Sequence, residues 1–164
     1  PKRIEFFQSH FNNKVTVLPS NSSNISKDLI DADLLIGAVM IPGALAPKLV
    51  SRDMIHNMST GGVIVDVAID QGGLLETSKP TTHQYPTYVV DGIIHYAVPN
   101  MPGIVPYTST YALTKNTIKY IEKIASQGWD KAVSEDSACA KGLNIAGGEI
   151  KYAPLHESFK NNLL

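Results

Sequence analysis

Short apolar segments alternate with helical patterns along the first two thirds of the chain. The segments at 33–40, 63–70 and 92–98 are mostly apolar, and each runs into a turn that contains glycine or proline. A shorter segment at 14–18 alternates apolar and polar residues and predicts a strand that precedes these three segments. The segment 87–90 predicts a short strand or a sheet edge. This order predicts an α/β fold with a mostly parallel sheet.

Helical spacing of apolar residues fills much of the remaining chain. Ile4, Phe7 and Phe11 share one helical face, and the asparagines that follow predict a left-handed stop. The character changes near residue 106, where strands give way to helices, so we place a boundary there. The predicted helices are 2–11, 27–31 with Ser26 as its cap, 47–58 opened by Pro47, 108–126, 129–134 and 156–161.

Several polar and apolar residues of interest lie in the turns at the carboxyl ends of the predicted strands. Because crossovers between parallel strands are right-handed, these turns should meet along one edge of the sheet, where α/β proteins bind ligands. The residues concerned are Ser20, Val39, Met40, Asp70 and Asn100. Each also has an ordinary structural interpretation: the apolar residues as core, and Asp70 and Asn100 as turn residues. Taken together, their placement favours a site for a flat nucleotide ring.

Composition removes several classes of partner. The 164 residues carry 14 basic and 15 acidic side chains. The sequence therefore has no excess of basic residues that would indicate binding to nucleic acid or to an anionic membrane. The apolar runs are shorter than the roughly 20 residues of a membrane helix, and we find no signal peptide. The single cysteine, Cys139, suits a reducing compartment such as the cytoplasm. The five histidines have no metal-ligand spacing, so we predict no metal site.

One expected motif of a dinucleotide fold does not occur. Such a fold needs a strand, a G-x-G-x-x-G turn and a helix, and the glycines at 61, 62, 72 and 73 have the wrong spacing for this phosphate cradle. The pattern therefore predicts part of a nucleotide-type α/β domain and does not identify a reaction.

Five segments together carry a specific resemblance. They are 36–50, 63–73, 80–83, 95–103 and 108–114. In this order they resemble the carboxyl-terminal part of bacterial alanine dehydrogenases, over residues 1 to about 155. That family has two Rossmann-like domains, is typically a homohexamer, and interconverts L-alanine with pyruvate and ammonia using NAD. The resemblance implies that 1–106 is the later part of the NAD-binding domain and 107–164 a helical end that packs on the substrate domain.

The resemblance also implies roles for individual residues. Asp70 would be catalytic, close to the substrate amine, and Lys79 stands where a basic cofactor contact is possible. Arg3 and Ser20 would contact the adenosine side of NAD, and Val39 and Met40 would line the nucleotide cleft. The residues that would surround the nicotinamide are Val67, Ala68, Ile69, Asp70, Val98, Pro99, Asn100 and Met101.

Two departures from the family pattern qualify these roles. Pro99 stands where alanine is usual and removes a backbone donor. The family's glycine loop, ribose-binding Asp and substrate-binding Arg, Lys and His would precede Pro1. We therefore expect a fragment that is inactive by itself and lacks its amino-terminal half, whether through a split reading frame, truncation or proteolysis.

Two alternatives remain open. One is a non-enzymatic remnant or assembly module, and the other is the NAD-binding subunit of a proton-translocating transhydrogenase. Asp70 and the segment 96–101 favour alanine dehydrogenase over the transhydrogenase.

Overall fold

The computed structural model describes residues 2–12 and 14–162, and they fall into two units. The first unit comprises Pro1–Val39 and Ala46–Pro99, and the second comprises Met40–Leu45 and Asn100–Leu164. Each unit has its own secondary structure, and we take them in turn.

The first unit is built on a four-stranded sheet. Its strands are β1 (Leu34–Gly37), β2 (Val63–Asp66), β3 (Thr87–Val90) and β4 (Ile93–Tyr96), in the order β1-β2-β4-β3. The pairs β1–β2 and β2–β4 are parallel, and β3 lies antiparallel on the edge. The predicted α/β class and mostly parallel sheet are therefore confirmed. The helices of this unit are α1 (Lys2–His10), α2 (Ser22–Ile30) and α3 (Arg52–His56), and Val67–Gln71 forms a 3-10 turn.

The core lies on one face of this sheet. Ile64 and Ile93 point into it, and Leu29 of α2, Ile55 of α3 and Leu75 pack against them with little or no exposed surface. Burial of these side chains provides the main stabilisation of the unit, because each contributes about 1.5–3 kcal/mol.

The opposite face of the sheet keeps apolar side chains exposed. The registers Leu34–Val63, Val63–Ile94 and Ile94–Val89 place these four residues side by side across the strands. Val89 is 64% exposed, and Ile36 on the same face of β1 is 60% exposed. Parallel sheets are normally covered on both faces, so this face has the character of a surface that another layer covers.

Three element predictions in the first unit were wrong. Residues 14–18 form no strand, because no strand of the described chain pairs with them. Helix α2 begins earlier than predicted, with Asn21 rather than Ser26 as its cap, since Asn21 Oδ1 accepts from the Asn24 N–H at 2.9 Å. Helix α3 begins only at Arg52, after its cap Ser51. The segment from Pro47 to that cap does not join the helix, because its backbone is bonded to Leu74 and Glu76 instead.

The second unit is mainly helical. Its long helix α4 (Pro106–Gln127) ends at Gly128 as predicted, and α5 (Trp129–Glu135) follows. The helix α6 (Ser137–Gly142) and the two-stranded hairpin of β5 (Ile145–Ala146) and β6 (Glu149–Ile150) had not been predicted. The last helix, α7 (Ala153–Asn162), begins before the predicted position. None of the described helices combines the length and apolar character needed to cross a membrane.

Candidate functional site

The carboxyl ends of the parallel strands lie at one edge of the first unit. Gly37 of β1 is in register with Asp66 of β2, and Val65 of β2 with Tyr96 of β4. The residues that follow each strand therefore emerge side by side. Val39 is half-buried there and Val67 is 45% exposed. An exposed apolar side chain at this edge provides a surface for a flat ring.

Asp70 lies on a turn, not at the end of a strand as the sequence pattern had indicated. Strand β2 ends at Asp66, and the next five residues form the 3-10 turn. Residues three apart share a face of such a turn, and this places Val67 and Asp70 together on the exposed side. Ala68 and Ile69 are buried, so only their backbones are available to a ligand.

Asp66 is a buried acid that the sequence analysis did not single out. Its side chain is 1% exposed, and its Oδ2 accepts hydrogen bonds from the Leu74 N–H at 3.2 Å and the Ser78 hydroxyl at 2.5 Å. Its Oδ1 is buried with no hydrogen-bond partner within the described chain. A carboxylate inside the otherwise apolar segment 63–69 was the available signal. The prediction that this strand ends at Asp70 obscured it.

Lys48 is a second residue that the pattern did not indicate. Its Nζ donates to the Gly72 carbonyl at 2.6 Å and to the Gly73 carbonyl at 2.8 Å, immediately after the turn that carries Asp70. The backbone supports this approach, because Ala46 N–H donates to the Gln71 carbonyl at 2.8 Å. A lysine 24 residues away in the sequence leaves no local pattern.

The predicted nicotinamide residues 98–101 divide between the two units. Val98 is buried in the first unit and the neighbouring Pro99 is half-buried. In the second unit, Asn100 adopts a left-handed conformation with φ of 53°, and its carbonyl accepts from the Gly103 N–H at 2.9 Å. Met101 begins the short 3-10 turn Met101–Ile104.

The remaining predicted residues have different surroundings. Met40 is an exposed residue of the second unit. Arg3 lies on α1 with its guanidinium carbon 4.5 Å from the centre of the Phe7 ring. Ser20 is exposed in the loop before α2. Lys79 lines a separate groove of the first unit, whose lining includes none of the strand-end residues described above.

A buried histidine connects β4 to the loop after the Asp70 turn. His95 is 1% exposed, its Nδ1 donates to the Ile93 carbonyl at 3.0 Å, and its Nε2 accepts from the Thr77 hydroxyl at 2.9 Å. The Tyr88 ring stacks on it at 4.9 Å. Burial lowers the pKa of His95 below its usual value, which favours the neutral ring. The hydrogen bond between Nε2 and the Thr77 hydroxyl joins this ring to the loop.

No group of three metal-ligating side chains occurs among residues 2–12 and 14–162.

A mostly parallel sheet with an acidic turn at its carboxyl edge defines the first unit as a Rossmann-like α/β unit. The family model described as "Alanine dehydrogenase/PNT, C-terminal domain" matches residues 1–153. The chain belongs to this family, and the predicted resemblance is confirmed.

Individual relatives agree with this assignment. The chain is 55% identical over 152 residues to the alanine dehydrogenase of Methanococcus maripaludis, covering 92% of this chain and 41% of that protein. A solved structure of L-alanine dehydrogenase matches with a TM-score of 0.82 and 47% identity, over 98% of this chain and 44% of that one. A transhydrogenase from Sinorhizobium meliloti matches with a TM-score of 0.61 at 22% identity, over 81% of this chain and 36% of that one, and shares the fold. The chain spans about two fifths of the length of the curated relatives it matches.

Proposed function

We propose that this chain supplies the carboxyl-terminal part of an NAD-dependent alanine dehydrogenase, which interconverts L-alanine with pyruvate and ammonia. The observation that carries the proposal is the exposed carboxylate of Asp70, which lies on a turn at the carboxyl edge of the sheet. The chain that holds it belongs to the alanine dehydrogenase/PNT family. In this proposal residues 1–106 are the later part of the NAD-binding domain and 107–164 belong to the substrate domain.

The residues at this edge fit one part of NAD. The exposed Val67 side chain and the half-buried Val39 offer apolar contact to the nicotinamide ring. Bound NAD would supply the hydride-transfer chemistry. The chain contains no glycine-rich strand-to-helix turn that would cradle the phosphates. We therefore propose that the phosphate contacts come from elsewhere in the assembled enzyme, and that Arg3 and Ser20 of this chain contact the adenosine side of NAD.

Asp70 is the residue that we propose acts directly on the reacting molecules. An exposed carboxylate on a turn next to the nicotinamide surface can accept a hydrogen bond from the substrate amine and from the water that hydrolyses the imine of pyruvate. The turn backbone sets the direction in which the Asp70 side chain leaves the chain, since Gly72 N–H donates to both the Ala68 and Ile69 carbonyls. The contribution of the chain is thus orientation and electrostatics.

The test needs the enzyme assembled from this chain and the amino-terminal portion of an alanine dehydrogenase. NADH oxidation is followed with pyruvate and ammonium for the chain alone, for the amino-terminal portion alone and for the mixture. We expect activity only in the mixture. Activity of the 164-residue chain alone would contradict the proposed division of the site. No activity of a soluble mixture would favour a remnant, and hydride transfer between two nucleotides without pyruvate would favour the transhydrogenase.

An Asp70→Asn variant tests the catalytic role. Removing the charge while keeping the shape should lower the turnover number by about 100-fold or more, with NADH binding nearly unchanged. Asp28→Asn is the matched control, because Asp28 is an exposed acid on α2 outside the turn. Equal turnover in the two variants would remove Asp70 from the mechanism.

We also propose that the assembled enzyme is a homohexamer in the cytoplasm. Light scattering on the mixture and fractionation of cells that express it are the corresponding measurements. A stable dimer, or recovery with the membrane fraction, would contradict these two expectations.

A further inference from the structure

Two successive glycines with positive φ follow the turn that carries Asp70. Gly72 has φ of 92° and Gly73 has φ of 77°, a region that residues with a Cβ rarely adopt. The carbonyls of both glycines converge on one cation, since Lys48 Nζ lies 2.6 and 2.8 Å from them. Two adjacent carbonyl dipoles that point to one place repel each other, and the ammonium offsets that repulsion.

The amide side of the same loop is held by an anion. The buried Asp66 carboxylate accepts from the Leu74 N–H and from the Ser78 hydroxyl. A Cβ at Gly73 would lie 2.6 Å from Asp66 Oδ2 and would also overlap Ser78, so the loop passes close to this carboxylate. The loop is therefore fixed by a cation on its carbonyls and by an anion on the next amide.

The fixed glycines are bonded back into the turn. Gly72 N–H donates to the Ile69 carbonyl and Gly73 N–H to the Ala68 carbonyl, both at 3.0 Å. Asp70 lies between these donors and acceptors along the chain. Any displacement of the two glycine carbonyls therefore moves the backbone that sets the direction of the Asp70 side chain.

We propose that Lys48 is a positioning residue for Asp70, acting through the carbonyls of Gly72 and Gly73. This inference rests on the catalytic role proposed for Asp70. Two of the three ammonium protons are used by the glycine carbonyls, so the cation serves the loop. The side chain belongs to an exposed residue outside the hydrophobic core, so its loss should affect the loop more than the fold.

The test compares Lys48→Met, which keeps the stem and removes the donors, with Lys48→Arg, which keeps a cation. Lys27→Met is the matched control, because Lys27 is an exposed lysine on α2. In the assembled enzyme, K48M should lower the turnover number about 10- to 100-fold with the KM for NADH within about twofold. K48R should recover most of that loss, and K27M should behave like the unchanged enzyme.

A double variant separates positioning from a general structural role. If Lys48 acts through Asp70, the turnover number of the K48M/D70N double variant should be less than about threefold below that of D70N alone. The effects of two substitutions do not add when the two residues act through one another. A full additional loss, equal to that of K48M alone, would overturn the proposal.

Hydrogen exchange on the 164-residue chain measures the stability of the loop and does not depend on enzymatic activity. The Gly72 and Gly73 amides should exchange about tenfold faster in K48M than in K27M. Unchanged exchange would overturn the role of Lys48 whatever the kinetics show. Full turnover in D70N, together with faster exchange in K48M, would instead refute the proposed role of Asp70 and leave the contact of Lys48 with the loop established.

Discussion

Replacing Gly73 with alanine tests the close packing of the loop on Asp66. An added Cβ would lie 2.6 Å from Asp66 Oδ2 and would overlap the Ser78 side chain. Ser78 cannot simply rotate away, because its hydroxyl is bonded to that carboxylate and also accepts from the Leu75 N–H at 3.0 Å. Gly61 provides the matched control, since it too has a positive φ, of 89°, but nothing lies within 4 Å of its added Cβ.

The two substitutions share one cost and differ in another. A left-handed alanine costs about 1–2 kcal/mol at either position. Overpacking at Gly73 adds about 1–3 kcal/mol, because the neighbours are a buried carboxylate and a hydrogen-bonded serine. We therefore expect G73A to lower the free energy of unfolding by about 2–5 kcal/mol and G61A by about 1–2 kcal/mol.

The measurement is urea unfolding of the dilute 164-residue chain by far-ultraviolet circular dichroism, with both variants and the unchanged chain at one protein concentration. The difference between the two midpoints isolates the steric contribution, because the backbone contribution cancels. Equal midpoints for G73A and G61A would refute the reasoning, since the loop would then have room that the described packing excludes.

Two further predictions follow from the same unit. Burial lowers the pKa of His95 in the folded state, so below the usual value of 6.5 the unfolded chain binds more protons than the folded chain. The free energy of unfolding therefore decreases as the pH is lowered, by at most about 1.4 kcal/mol per pH unit. We expect His95→Gln to make the free energy of unfolding less dependent on pH, as measured by urea titrations at a series of pH values. An unchanged dependence on pH would contradict this role of His95. Ile36→Lys, on the exposed face of β1, should leave the unfolding midpoint of the chain nearly unchanged but abolish the activity of the mixture. Lys27→Met is its control, and full activity of I36K would show that no further layer covers this face.

Local pattern predicted much of the fold. The apolar segments around Ile36, Ile64 and Ile93 became strands because burial of at least one face selects apolar residues along each of them. The stop after α4 followed from Gly128, whose φ of 84° other residues rarely adopt. The family followed from several matched segments, and the model match over residues 1–153 confirms it.

Partner-dependent elements could not be predicted in the same way. The segment 14–18 has the alternation of a strand, but a strand exists only where another strand bonds to it. Pro47 has the chemistry of a helix start, but the backbone around it is used in bonds to residues 71–76. In both cases a contact distant in sequence, or its absence, decided a local conformation.

From its residues alone the chain could be read as an apolar segment followed by an acid and two glycines, and assigned to its family. The placement of Asp70 on a turn, the burial of Asp66 and the contact of Lys48 with the glycine carbonyls became visible only in the folded chain. This difference arises because the residues that make these contacts are far apart in the sequence. The burial of a strand is visible in the apolar character of its own residues. Lys48 and the two carbonyls that it binds are 24 and 25 residues apart, so they come together only in the folded chain.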